Sequence, residues 1–239
     1  MSYIGSKPAN KPVVASDLDP TVITGQTALA VAPADTDEFL ISDAGTLKRL
    51  DASLIGSQDY VKLASGSFSS NSLSFDGYFT SAYSHYKIIL TDVIPSTNNP
   101  FIQIRYRQGD SDITTSHYNN VGQYGSLQIG GGTSNGTSHS ENGSAMNFHQ
   151  GYAVSNASNA CLNSELTIFN PLNTSLYKHY HYSSSCFYSG TTSGVNGYWI
   201  TEFGGGYYHN NTTALSGFTI FASTGNITSG NVYLYGVKV

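Results

Sequence analysis

The feature that most constrains the fold of this chain is a strict alternation of apolar and polar residues beyond residue 58. Tyr86, Ile88 and Leu90 fall on one side of an extended chain, because successive side chains of a strand point to opposite faces. The same period of two recurs at Ile102, Ile104 and Tyr106, at Leu166 and Ile168, at Phe218 and Ile220, and at Val232 and Leu234. Turn-forming clusters separate these runs, and no helical pattern intervenes. The sequence therefore predicts an all-β domain over residues 59–239, folded as an antiparallel β-sandwich.

Aromatic residues divide the chain into two parts. Residues 1–58 contain only Tyr3 and Phe39, whereas residues 59–239 contain the other 28 aromatic side chains. Four of the seven prolines also lie in the first part. Such a segment buries too little apolar surface to offset the entropy of ordering its own backbone. We expect residues 1–58 to be either a flexible linker or a segment that folds against another chain.

A β-hairpin pattern favours the second alternative. The run Phe39-Leu40-Ile41 and the run 46–50 flank a tight turn at Asp43-Ala44-Gly45, and two short runs around a glycine-containing turn are typical of a hairpin. Residues 51–56 add a short helical turn that Gly56 would end. Residues 1–58 are therefore predicted to be a small, extended attachment segment with one hairpin.

Three stretches resemble a known class of virion protein. Residues 35–51 read DTDEFLISDAGTLKRLD, residues 86–95 read YKIILTDVIP, and residues 218–238 read FTIFASTGNITSGNVYLYGVK. The first resembles the repeated hairpin of tailed-bacteriophage fibre proteins. The other two are similar to strands of the jelly-roll tips of those proteins. Together they cover about a fifth of the chain.

This resemblance implies a jelly-roll-like tip, a homotrimer and a location in the virion. It implies that residues 1–58 dock on other virion proteins, and that the tip binds a glycan or protein on the host cell surface. The residues expected to dock are Phe39, Leu40, Ile41, Leu47 and Leu50. Two alternatives remain: a head decoration, cement or head-fibre protein that stabilises the capsid, and a carbohydrate-active enzyme.

The composition favours a glycan as ligand. Charged residues make up 10% of the chain, the net charge is −5 and there is no basic patch, so a nucleic-acid partner is not expected. Tyrosine combines a flat apolar face with a polar tip, which suits stacking on sugar rings. Aromatic residues near Asn, Gln and Ser are the candidate glycan contacts: Tyr118, Tyr124, Trp199, Tyr207 and Tyr208.

Signals for other chemistry are weak. No G-x-S-x-G, Walker or H-E-x-x-H motif occurs, so we expect no enzyme, cofactor or metal. His179 and His181 are two residues apart and would share a strand face, and three such pairs on a three-fold axis would supply six nitrogens. We favour the simpler interpretation of a polar, tyrosine-lined strand.

The remaining expectations concern loops, cysteines and targeting. The polar stretch 109–147 is predicted to form surface loops, and the glycines 204–206 a turn. Cys161 and Cys186 are compatible with a bridge, but free buried thiols are favoured because synthesis in a host cytoplasm is expected. Residues 2–20 alternate polar and small side chains, so neither a signal peptide nor membrane insertion is predicted.

Overall fold

The structure, a computed structural model, describes residues 27, 33–34, 36–44, 46–55, 59–189 and 197–238. It divides the chain into two compact units, Met1–Ser57 and Gln58–Val239. Predictions for Tyr3, for Gly45 in the hairpin turn, for Gly56 and for the first three prolines lie outside the described residues. The side chain of Leu47 also lies outside the description, although its backbone belongs to a strand.

The first unit contains the predicted hairpin. Strands β1 (Glu38–Asp43) and β2 (Thr46–Asp51) pair antiparallel, and Ala44 in the connection has a left-handed backbone with φ 50°. Ion pairs join the strands, including Arg49 Nε to Glu38 Oε1 at 2.8 Å. A single 3-10 turn follows at Ala52–Leu54, as the sequence predicts. These exposed ion pairs contribute little each, so strand pairing and turn geometry define the hairpin.

The described residues of the second unit form thirteen strands in two antiparallel sheets. The strands are β3 (Tyr60–Ser67), β4 (Ser72–Phe75), β5 (Tyr83–Pro95), β6 (Ile102–Gln108), β7 (Ser111–Asp112), β8 (Tyr118–Gln128), β9 (Thr133–Gly143), β10 (Met146–Asn147), β11 (Leu162–Phe169), β12 (Lys178–Ser189), β13 (Gly197–Tyr208), β14 (Gly217–Ala222) and β15 (Ile227–Lys238). The large sheet has the order β3-β15-β5-β11-β12-β13-β8-β9. The small sheet has the order β10-β6-β14-β4, with β7 paired to β6.

The core lies between these two sheets. The apolar members of each predicted alternation are buried, with Ile88, Ile104 and Phe218 all at 0% exposure. Rings from the two sheets meet directly: the centroids of Tyr106 on β6 and Tyr118 on β8 are 5.9 Å apart. The prediction of an all-β, antiparallel sandwich is therefore confirmed, while the jelly-roll topology stays a prediction. Among the described residues, no helix is both long and apolar enough to cross a membrane.

One loop prediction is wrong. The stretch 109–147 contributes β8 and β9, which pair over most of their length, and the short strands β7 and β10. Residues 109–110, 113–117, 129–132 and 144–145 do lie outside strands, and the three glycines 130–132 between β8 and β9 have φ between 91° and 112°. Strand β9 was not recognisable from alternation because it is an edge strand with few apolar side chains. Backbone pairing with β8, rather than burial of an apolar face, defines it.

Candidate functional site

The outer face of the large sheet, which points away from the core, carries unusually many exposed apolar side chains. On β13, Trp199, Phe203 and Tyr207 are 53%, 56% and 40% exposed. On the neighbouring β8, Val121 and Leu127 are 57% and 50% exposed. The solvent-facing side of an antiparallel sheet is normally polar, and clustered exposed apolar residues mark a contact surface. We call this surface the aromatic face.

A cleft of about 720 Å³ opens at the Tyr207 end of the aromatic face. Tyr207 lies between Asn119 of β8 and His179 of β12 in the sheet register, and its ring centroid is 5.9 Å from that of His179. The ring of His209 also lies near Tyr207, with the centroids 5.7 Å apart. Glu141 of β9 also lines the cleft. The site thus offers an aromatic ring surrounded by amide, imidazole and carboxylate groups.

Glycines within β13 shape this cleft, which corrects the prediction of a turn at residues 204–206. All three glycines are paired on both sides, to β12 and to β8. A Cβ at Gly206 would lie 1.9 Å from the Asn119 carbonyl oxygen and 2.8 Å from the Tyr180 hydroxyl. Gly205 leaves the outer face bare between Phe203 and Tyr207. The glycines therefore make room for tyrosines below the sheet and for a cleft above it.

A buried carboxylate underlies the centre of the aromatic face. Glu202 is 3% exposed, and its Oε1 accepts hydrogen bonds from the Tyr182 hydroxyl and from the Gln150 N–H, at 2.5 and 2.7 Å. Its Oε2 accepts the Gly151 N–H at 2.9 Å. Burial, followed by the bond to Glu202, raises the pKa of Tyr182 far above its ordinary value. This network ties the segment between β10 and β11 to the sheet that carries the face.

The same segment contains a fully buried histidine. His149 accepts the Ile102 N–H through Nε2 at 3.2 Å, and its Nδ1 lies 2.5 Å from the Tyr152 carbonyl oxygen. Donation from Nδ1 and acceptance at Nε2 require the neutral ring. Burial lowers the pKa of His149 to about 4, so the ring is neutral at physiological pH.

The five predicted glycan contacts fall in different places. Tyr207 lines the large cleft, and Trp199 lines a separate groove of about 390 Å³ near the other end of β13. Tyr124 is half-buried beneath the sheet, with its ring 5.2 Å from that of Tyr152. Tyr118 and Tyr208 are 0% and 1% exposed, so the prediction that they contact a glycan is wrong. Their rings pack against each other in the core, with centroids 4.8 Å apart.

Several site residues were missed by sequence reasoning. They are Asn119, Val121, Glu141, His209 and Phe203. Phe203 could have been found, because it continues the alternation Trp199, Thr201, Phe203 and therefore shares the exposed face of Trp199. The others depend on which strands become neighbours, and no local pattern encodes that.

The histidine pair does lie on one strand face. His179 and His181 are both exposed on β12. Within the described part of the chain, no group of three or more His, Cys, Asp or Glu side chains is placed to hold a metal ion. The contact of His179 with the ring of Tyr207 fits a polar, tyrosine-lined surface.

The docking candidates of the hairpin divide between its two faces. Phe39 is 40% exposed and pairs with Leu50, which places these two on one face with Ile41. Leu40, 75% exposed, pairs with Arg49 and lies on the opposite face. The hairpin therefore presents apolar side chains on both sides.

Both cysteines are free in the structure. Cys186 is buried, and burial raises its pKa to about 12. Cys161 is half-buried, and burial also raises its pKa. A raised pKa keeps a thiol protonated at neutral pH, which lowers its reactivity.

Comparisons with protein-family models, with curated proteins and with solved structures found no match to this chain. A β-sandwich supports many unrelated functions, so the function has to be argued from the site itself.

Proposed function

We propose that this chain is a bacteriophage virion protein of the tail-fibre or receptor-binding type. In this proposal residues 1–58 attach the chain to other virion proteins, and the β-sandwich binds a glycan on the host cell surface. The likeness of residues 35–51 to fibre hairpins supports the first half. The high exposure of Leu40 and Phe39 also supports it, because exposed apolar side chains on a small hairpin suit docking into another protein.

The single observation that carries the second half is the cleft around Tyr207. Its ring is 40% exposed and is flanked by Asn119 and His179, so one wall is flat and apolar while the others donate and accept hydrogen bonds. A sugar ring has the complementary surface, with C–H groups on its faces and hydroxyl groups on its edge. Clefts of this size with a few convergent polar groups are the usual form of small-ligand sites.

Homotrimerisation would complete this function. A single shallow glycan site binds weakly, whereas three linked copies raise the effective concentration of the second and third sites. We therefore propose a homotrimer in the virion and binding without catalysis. Light scattering on the full chain tests the oligomer: a trimer mass is expected, and a monomer would favour a decoration protein held by its hairpin.

Binding of the full chain to a panel of purified bacterial surface polysaccharides tests the glycan proposal. We expect retention of at least one polysaccharide by the parent and at least tenfold weaker binding by Tyr207→Ala. The matched control is Tyr60→Ala, since Tyr60 is 50% exposed on β3, at the opposite end of the same sheet. Equal binding by the parent and Tyr207→Ala would contradict the site assignment.

The same experiment separates the alternatives. Binding to purified capsids without binding to any polysaccharide would favour a decoration, cement or head-fibre protein. Shortening of a polysaccharide during incubation would identify a carbohydrate-active enzyme instead. The decoration alternative keeps residues 1–58 as the docking segment, so the ligand of the β-sandwich distinguishes it, whereas turnover of the polysaccharide distinguishes the enzyme.

A further inference from the structure

Strand β13 carries a row of evenly spaced aromatic side chains along the aromatic face. Trp199, Phe203 and Tyr207 occur every fourth residue, and all three are at least 40% exposed. A strand rises about 3.3 Å per residue, so neighbouring rings are roughly 13 Å apart and the row is roughly 26 Å long. A ligand that contacts all three rings must therefore be elongated.

A cleft and two grooves lie along the same row of rings. The large cleft lies at Tyr207, and a groove of about 390 Å³ lies at Trp199. A second groove of about 390 Å³ adjoins it, since both are lined by Ser185 and Thr201. The face is thus recessed near both ends of the row and beside its middle.

The positions between the rings are small or polar. Gly205 separates Tyr207 from Phe203, and Thr201 separates Phe203 from Trp199. In the sheet register Phe203 has Gln123 on one side and Ser183 on the other. Hydrogen-bonding groups therefore flank the central ring as Asn119 and His179 flank Tyr207. Trp199 differs, because its neighbours in the sheet register are Leu127 and Phe187, so the polar flanks belong to Tyr207 and Phe203.

The distribution of charge on the outer face also favours a weakly charged ligand. An ion pair on the outer face, Lys87 with Glu165 at 2.6 Å, lies on β5 and β11, and its two charges compensate each other. The side chains of β13 that form the row are uncharged. A polyanionic ligand would meet the Glu141 carboxylate at the Tyr207 end of the row. An uncharged hydroxylated chain would instead find three aromatic rings, with hydrogen-bonding groups beside Tyr207 and Phe203.

We propose that the aromatic face binds a linear, weakly charged polysaccharide that lies lengthwise along β13, with sugar rings stacked on Tyr207, Phe203 and Trp199. This inference rests on the proposed glycan-binding function and specifies its ligand as the interior of a chain several sugars long. A single terminal sugar would fill only the cleft at Tyr207.

Chain-length dependence of binding tests the proposal. The probes are size-fractionated oligosaccharides prepared by partial hydrolysis of the polysaccharide that the full chain retains. We expect affinity to rise with length until the probe spans the row, and then to level off. Trp199→Ala and Phe203→Ala should each weaken long probes by roughly three- to tenfold and leave short probes unchanged, because one stacked ring is lost in each case. Tyr60→Ala is again the control.

Three other results would each contradict the proposal in a different way. Equal affinity for short and long probes, with Trp199→Ala silent, would overturn the lengthwise row while leaving a glycan site at Tyr207. A variant Phe203→Ser that dissociates an oligomer without changing polysaccharide binding would identify the face as a contact between copies, and would overturn the row as well. If no polysaccharide of the panel is bound, the proposed function and this inference both fail.

Discussion

Replacing the buried carboxylate Glu202 by glutamine should destabilise the β-sandwich far more than its small change in shape suggests. Three donors converge on the two carboxylate oxygens: the Tyr182 hydroxyl and the N–H groups of Gln150 and Gly151. Glutamine offers one oxygen and one NH₂ group, so at least one buried backbone N–H would face another donor. Losing a bond to a carboxylate costs about 1.5–3 kcal/mol, and an unsatisfied buried donor costs about 1–3 kcal/mol more. We expect a loss of about 3–5 kcal/mol in the free energy of unfolding.

The matched control for this prediction is Glu165→Gln. Glu165 lies in the same sheet on β11, but it is exposed and forms an ion pair with Lys87, and such pairs contribute at most about 1 kcal/mol. Urea unfolding followed by far-ultraviolet circular dichroism gives the free energy for each variant. Hydrogen exchange adds a local measurement, because the amides of Gln150 and Gly151 should lose protection in Glu202→Gln alone. If both variants lost the same free energy, or these amides stayed protected, the role assigned to Glu202 would be refuted.

Three further predictions concern pH and backbone packing. The free energy of unfolding should fall as the pH is lowered from about 6.5 towards 4, because His149 binds a proton near pH 6.5 in the unfolded chain while burial holds its pKa at about 4 in the folded chain. Urea unfolding at each pH should show a loss of about 3 kcal/mol. This loss should disappear in an otherwise folded His149→Gln. The free energy of unfolding should also fall as the pH rises above about 10, because tyrosines ionise there in the unfolded chain while burial raises the pKa of several core tyrosines in the folded chain. An absorbance titration should show these core tyrosines ionising only when the protein unfolds. Their ionisation before unfolding would contradict their burial. The tyrosines concerned are Tyr106, Tyr118, Tyr180 and Tyr182. Gly206→Ala should lower the thermal midpoint by several degrees, because the new Cβ would lie 1.9 Å from the Asn119 carbonyl oxygen. Gly125→Ala is the control and should leave the midpoint unchanged, because the nearest atom to its Cβ would be 3.9 Å away. Equal midpoints for the two variants would contradict the close approach at Gly206.

Much of the strand layout was predictable because its signal is local. Tyr86, Ile88 and Leu90 alternate within one short run, and the structure buries all three, at 0%, 0% and 1% exposure. The hairpin of residues 38–51 was predictable for the same reason, since its turn and both of its strands are contiguous in the chain. Strand β9 was not, because an edge strand with two solvated faces carries no apolar alternation.

The candidate site was only partly predictable. Tyr207 and Tyr208 are adjacent in the sequence, yet one lines the cleft and the other is buried against Tyr106 with ring centroids 6.2 Å apart. Strand geometry alone makes neighbouring side chains point in opposite directions. It does not decide which of the two faces of β13 packs against the small sheet. The glycines 204–206 look like a turn in isolation. Their reason is tertiary: carbonyl oxygens of the neighbouring strands β8 and β12 lie too close to leave room for a Cβ, and tyrosine hydroxyls of β12 add to this at Gly204 and Gly206.

By itself, the sequence determined the all-β class, the antiparallel sandwich, the hairpin and the buried faces of five strands, β5, β6, β11, β14 and β15. These features depend on periodicity and turn chemistry among residues close in the chain. The tertiary structure decided which aromatic residues are exposed, because burial requires partners from distant strands: Tyr118 of β8 is covered by Tyr106 of β6 and Tyr208 of β13. It also decided that Trp199, Phe203 and Tyr207 form one exposed row, because no sheet of the described residues covers the outer face of β13.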